Sequence, residues 1–103
     1  MQRQRERGEV AQAARDLVAA GLVVGTSGNV SQRAGELVAI TPSGVPADRL
    51  DAAAVCLVDR DGRQVDGELA PSSELGMHLA AYARRSLGAV VHTHSPYATA
   101  AGA

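Results

Sequence analysis

Lysine, tryptophan and phenylalanine are all absent from this chain, and cysteine occurs once. Without a lysine amine, Schiff-base chemistry is excluded for the chain. The hydrophobic share of 46% is carried by Ala, Val and Leu, so its core has few bulky anchors. All basic charge is arginine, and 10 cations against 11 acids leave a net charge of -1. That balance gives no electrostatic case for nucleic acid or for a membrane surface as partner. The lone Cys56 cannot close an internal disulfide and suits a reducing compartment. No run is long and apolar enough for a membrane span or a signal peptide. Arg3, Arg5 and Arg7 alternate with Glu6 and Glu9, whereas transit peptides avoid acids. A cytoplasmic protein is expected. At 103 residues there is room for one domain with one modest core.

What is present falls into short periodic segments separated by strong turn signals. Val10, Ala13, Ala14, Leu17 and Val18 keep the spacing of one helix face, which predicts a helix over 4–20 with Gly21 as its C-cap glycine. Two short strands, 30–33 and 37–41, are expected to join at Ala34-Gly35. After a turn around 50–54, residues 55–58 read as a strand, Asp61-Gly62 as a hairpin turn, and 64–68 as the returning strand. Ser72 is the expected N-cap of a second helix, with Leu75, Leu79 and Tyr82 at helical spacing. Residues 89–94 form an apolar run that suits a strand covered on both faces.

Four stretches offer chemistry. Gly25-Thr26-Ser27-Gly28-Asn29 and Thr41-Pro42-Ser43-Gly44 read either as plain turns or as anion cradles. Pro71-Ser72-Ser73-Glu74 opens a helix, where a phosphate is favoured by the helix dipole and by unpaired amides. No cation lies in any of the three, so such a site relies on neutral donors. His92 and His94, two apart on a strand, can present both imidazoles to one metal ion, with Glu74 as a carboxylate partner. His78, one helical turn beyond Glu74, reads as a supporting residue rather than a ligand. Cys56 reads as a small core residue.

Gly25-Thr26-Ser27-Gly28-Asn29-Val30-Ser31, Thr41-Pro42-Ser43-Gly44, Pro71-Ser72-Ser73-Glu74 and His92-Thr93-His94 together resemble the class II aldolase/adducin family, in order and in spacing. The likeness is nearest to its L-fuculose-phosphate aldolase branch and covers essentially the whole chain. It implies an α/β fold with three layers, a mostly antiparallel central sheet flanked by helices. It also implies a homotetramer and bound Zn2+, with His92, His94 and, in the empty site, Glu74 as ligands. By the same resemblance Thr26, Gly28, Asn29, Ser43, Gly44, Ser72 and Ser73 hold a substrate phosphate, and Glu74 is the catalytic acid/base. The implied reaction cleaves a ketose 1-phosphate, resembling L-fuculose 1-phosphate, to dihydroxyacetone phosphate and an aldehyde.

Members of that family are considerably longer, and their third zinc histidine lies beyond the position where this sequence ends. Residues 1–103 are therefore expected to be the N-terminal part of a single class II aldolase/adducin domain, weakly active and poorly stable alone. Three alternatives stand beside the aldolase. Sugar-phosphate 4-epimerases of the family carry an aspartate where this chain has Glu74. Methylthioribulose-phosphate dehydratases differ in the serine segment. A non-catalytic module resembling the adducin head would have lost the metal ligands, whereas His92, His94 and Glu74 are retained here.

Overall fold

A computed structural model describes residues 2–22 and 28–92. The first helix, α1, spans Gln4–Ala19 and buries Val10, Ala11 and Ala14. Its end is closed by Gly21 at φ +75. The Gly21 amide bonds the Val18 carbonyl and the Leu22 amide bonds the Leu17 carbonyl, the paired closure that a left-handed glycine makes possible.

Five strands follow: β1 (Asn29–Ala34), β2 (Leu37–Ile40), β3 (Cys56–Val58), β4 (Gln64–Asp66) and β5 (Ala89–His92). They form one sheet in the order β4-β3-β2-β1-β5, and every pairing is antiparallel. Ala34 pairs with Leu37, so the first hairpin turns on Gly35-Glu36, one residue later than the sequence implies. Gly35 sits there at φ +63. The second hairpin is organised by Asp59, whose carboxylate accepts the Asp61 and Arg63 amides. Two 3-10 turns, Ala47–Arg49 and Ala52–Ala54, connect β2 to β3.

The sheet lies between the two helices, and strand alternation decides which residue serves which layer. Ala39 and Leu57 face α1, in a cluster with Val10, Ala14, Val30 and Ala34. Val38, Ile40, Cys56 and Val58 face the second helix, α2 (Leu75–Arg84), and pack against Leu75, Leu79 and Tyr82. Cys56 is a core residue, as expected, and its thiol donates to the Leu69 carbonyl at 3.1 Å. The expected three-layer α/β arrangement is therefore present.

One further expectation is corrected. Ser72 is not the N-cap of α2, because Glu74 holds that position. The Ser72 hydroxyl instead accepts the Glu74 amide at 3.2 Å, closing a tight turn one step ahead of the helix. The apolar run of β5 suits a strand covered on both faces in a longer chain, and without that cover its apolar surface is expected to face water. Among the described residues β5 is one of the two edge strands, beside β1, and Val91 is 52% exposed. The α1 cluster contains no β5 residue, so that helix leaves the β5 face open. Among the described residues, no helix is long and apolar enough to cross a membrane.

Candidate active site

The antiparallel order brings the start of β1, the end of β2 and the end of β5 to one edge of the sheet. Asn29 is the cross-strand partner of His92, so both side chains lie on the face that carries α2. Thr41, just past β2, is the hub of this edge. Its amide bonds the Val30 carbonyl at 3.0 Å and its hydroxyl accepts the Val30 amide at 3.2 Å. The Thr41 carbonyl in turn accepts the Ser72 amide at 3.0 Å. Pro42 bridges Pro71, and the Ser43 amide bonds the Ala70 carbonyl at 2.9 Å. Residues 28–30, 41–44 and 70–74 are thus tied side by side.

This tie changes which groups face an anion. The Ser43 and Ser72 amides are committed to the bridge, so these serines have only hydroxyls to offer. Because the Ser72 hydroxyl oxygen accepts from Glu74, its hydrogen is the part left to donate. Gly44 holds φ +79 with open space where a side chain would stand, a conformation that presents backbone cheaply only in glycine. Thr26 lies outside the described residues.

Beneath this edge sits His78, buried on α2 and bonded at both ring nitrogens. Nε2 meets the Asn29 Oδ1 in a short contact, and Nδ1 lies 2.6 Å from the Ser31 hydroxyl. Ser31 is 2.8 Å from the Tyr82 hydroxyl, and the Arg33 guanidinium lies over the Tyr82 ring. With both nitrogens taken, His78 is a supporting residue, not a metal ligand. The sequence gives Tyr82 only a place on an apolar helix face and Ser31 only a place in a loop motif. No local signal joins them to His78, because the contacts span about fifty residues of chain.

Burial pushes the His78 imidazole down to about 4, reinforced by His92 and opposed by the Glu74 carboxylate. Both neighbours therefore lie near enough for their charges to act on this ring. An imidazole and a carboxylate are donors that zinc accepts, so Glu74 and His92 fit two positions of the expected set. His94 lies outside the described residues. Among the described residues, no three His, Cys, Asp or Glu side chains form a metal-binding group.

The depressed His78 value sets a pH dependence. An unfolded histidine titrates near ~6.5. Neutral His78 therefore contributes its full stability above that pH, and the contribution is lost as pH falls towards 4. Discounted for partial solvent screening, the loss is about 2–3 kcal/mol. Thermal unfolding followed by circular dichroism across this window should fall more steeply for the native protein than for His78→Gln. Parallel slopes would show that His78 binds its proton as readily in the fold as in the unfolded chain.

Residues 8–103 match the family model described as the class II aldolase and adducin N-terminal domain. The chain is 44% identical over 98 residues to a 5-deoxy-D-ribulose 1-phosphate aldolase of Bacillus thuringiensis, covering 92% of this chain and 46% of that protein. It is 50% identical over 88 residues to the L-ribulose-5-phosphate 4-epimerase UlaF of Salmonella paratyphi B, covering 82% of this chain and 39% of that protein. A solved structure of an L-fuculose 1-phosphate aldolase superposes with a TM-score of 0.86 at 36% identity, over 93% of this chain and 47% of that one. The chain thus spans less than half the length of these relatives. Matched along nearly its whole length by the family model, with the three-layer fold in place, the chain belongs to the class II aldolase and adducin family.

Proposed function

We propose that the complete protein is a zinc-dependent aldolase that cleaves a ketose 1-phosphate, of the L-fuculose 1-phosphate kind, to dihydroxyacetone phosphate and an aldehyde. The observation that carries this reading is the tie through Thr41, which sets three hydroxyl- and amide-rich segments beside His92 and Glu74. A phosphate held there would be met by the Asn29 amide, the Ser43, Ser72 and Ser73 hydroxyls, and the Gly28 and Gly44 backbone, with Thr26 completing the seat. The N-terminal end of α2 adds its dipole to this neutral cradle. Fixing the phosphate fixes the carbons attached to it, which converts a chance encounter into a positioned one.

His92, His94 and Glu74 would hold the zinc. When bound, Zn2+ acts as a Lewis acid that draws electron density from the ketone oxygen. As the carbon–carbon bond breaks, the hydroxyl on the departing half gives up its proton and becomes the aldehyde oxygen. The bond's electron pair stays on the three-carbon phosphate half, and Glu74 delivers a proton to that carbon. Glu74 suits this task because it stands at the head of α2, where backbone hydrogen bonds fix its main chain. Residues 1–103 would be the N-terminal part of a single domain, in a cytoplasmic homotetramer.

The relative named as a 4-epimerase, at 50% identity, favours a second reading in which the same bond is broken and remade. The test is to incubate the complete protein with L-fuculose 1-phosphate and follow dihydroxyacetone phosphate with a coupled dehydrogenase. Product is expected, lost on chelation and restored by Zn2+. A pentulose 5-phosphate inverted at C4, with no triose phosphate from any ketose phosphate, would make the protein an epimerase. Turnover in neither assay would leave a non-catalytic module.

A further inference from the structure

We propose that His78 is a positioning residue that holds the Asn29 side chain in the one orientation offering N–H donors, not a carbonyl oxygen, to an anion. The inference rests on the phosphate reading above and gives it a device that the sequence does not reveal. Its basis is the direction of the buried hydrogen-bond chain through Tyr82, Ser31, His78 and Asn29.

The direction follows from donor and acceptor chemistry once Oδ1 is the Asn29 atom that faces Nε2. Asn29 Oδ1 can only accept, so the hydrogen in that contact belongs to His78 Nε2. A neutral imidazole with Nε2–H has Nδ1 as an acceptor, so the Ser31 hydroxyl donates to it across 2.6 Å. Having donated its one hydrogen, Ser31 must accept from the Tyr82 hydroxyl across 2.8 Å. Every link then points the same way, and the last one pins the carbonyl end of Asn29 against His78. What the amide retains for another partner is its Nδ2 donors.

The alternative orientation shows why the relay matters. An amide turned by half a rotation would set Nδ2 against His78 and present Oδ1 to the phosphate. A carbonyl oxygen beside a phosphate oxygen is two acceptors with no hydrogen between them, a repulsion in place of a bond. The two ends of an asparagine amide have nearly the same shape, so packing alone does not choose between them. Only hydrogen bonding chooses, and His78 is the group that meets the carbonyl end. Ser31, fully buried with His78, serves this tautomer by donating to Nδ1.

The test uses the complete protein with inorganic phosphate as the probe, measured by isothermal titration calorimetry. Removing one hydrogen bond to a charged ligand should weaken binding roughly tenfold, so Asn29→Ala and His78→Leu should each show about that loss. The double variant should lose little more than either single one, because both break the same link. In His78→Gln the side-chain nitrogen overlays Nε2 and can still donate to Oδ1. Affinity should then return to within about threefold of the native protein, a rescue that a purely space-filling role would not produce. If Asn29→Ala weakens binding but His78→Leu does not, the positioning role is overturned while the phosphate seat stands. If Asn29→Ala binds as tightly as the native protein, Asn29 is not in the seat and the inference falls with it. Should His78→Leu fail to fold, nitrogen-15 NMR of the native histidines decides the matter. A His78 protonated at Nε2 supports the relay, and one protonated at Nδ1 overturns it.

Discussion

Glu74→Gln in the complete protein is expected to lower kcat for aldol cleavage by roughly a thousandfold, within the range that one positioned acid/base supplies. KM for the sugar phosphate should stay within about threefold, since Gln keeps the size of Glu and leaves the proposed phosphate seat untouched. Both effects follow from where the residue stands. Its amide is held by the Ser72 hydroxyl, and its carbonyl accepts from Met77 and His78, so the backbone does not depend on the side chain. The substitution removes the proton donor while leaving the turn intact. Zinc content by mass spectrometry separates the two roles given to this carboxylate. Full zinc with lost turnover supports proton transfer, and lost zinc makes Glu74 first of all a ligand. A variant that retains more than a tenth of native kcat with zinc bound would move the acid/base role to another group.

The largest stability effect is expected at Arg7, one of the arginines interspersed with acids near the chain start. Arg7 is only 2% exposed, and its guanidinium reaches three partners. Nε donates to the Val55 carbonyl at 3.0 Å, and Nη1 donates to the Gln2 carbonyl at 3.2 Å and to the Asp66 carboxylate at 2.7 Å. One side chain therefore locks α1 to the start of β3 and to β4. Arg7→Met preserves the apolar stem but strands the buried Val55 carbonyl, at about 3 kcal/mol in all. For a chain of this size that corresponds to a melting temperature lower by roughly 15 °C. Arg7→Lys should recover only part of it, since a single ammonium cannot span the same three acceptors. The Arg7 hydrogen bond, helped by the Gly67 amide, also holds the Asp66 carboxyl below the usual carboxylate range. That contribution is present above the unfolded carboxylate value and lost as pH falls through the folded one, so the Arg7→Met variant should show a weaker acid dependence. A Met variant as stable as the native protein would mean the guanidinium contributes no more than its desolvation removes.

Much of the fold was legible because it is local. The α1 face repeats within a single helix, and Gly21 closes it through bonds three and five residues long. Asp61-Gly62 and Gly35 mark turns that a glycine conformation alone permits, and the alternation of Val38, Ala39 and Ile40 divides one strand between two layers. The candidate site was legible as a set of motifs, because hydroxyls, glycines and a carboxylate at a helix start are visible as residue types. Their grouping was not. Thr41 joins residues 30 and 72, and His78 joins residues 29, 31 and, through Ser31, its own helix neighbour Tyr82. Ser72 looked like an N-cap because capping is read from spacing, whereas the bridge to Thr41 draws its backbone into a turn before the helix can begin. Sequence by itself determined the elements and the chemistry available, since these depend on neighbours within a few residues. Tertiary structure alone decided which donors remain for a ligand, because that depends on hydrogen bonds between groups 27 to 49 residues apart.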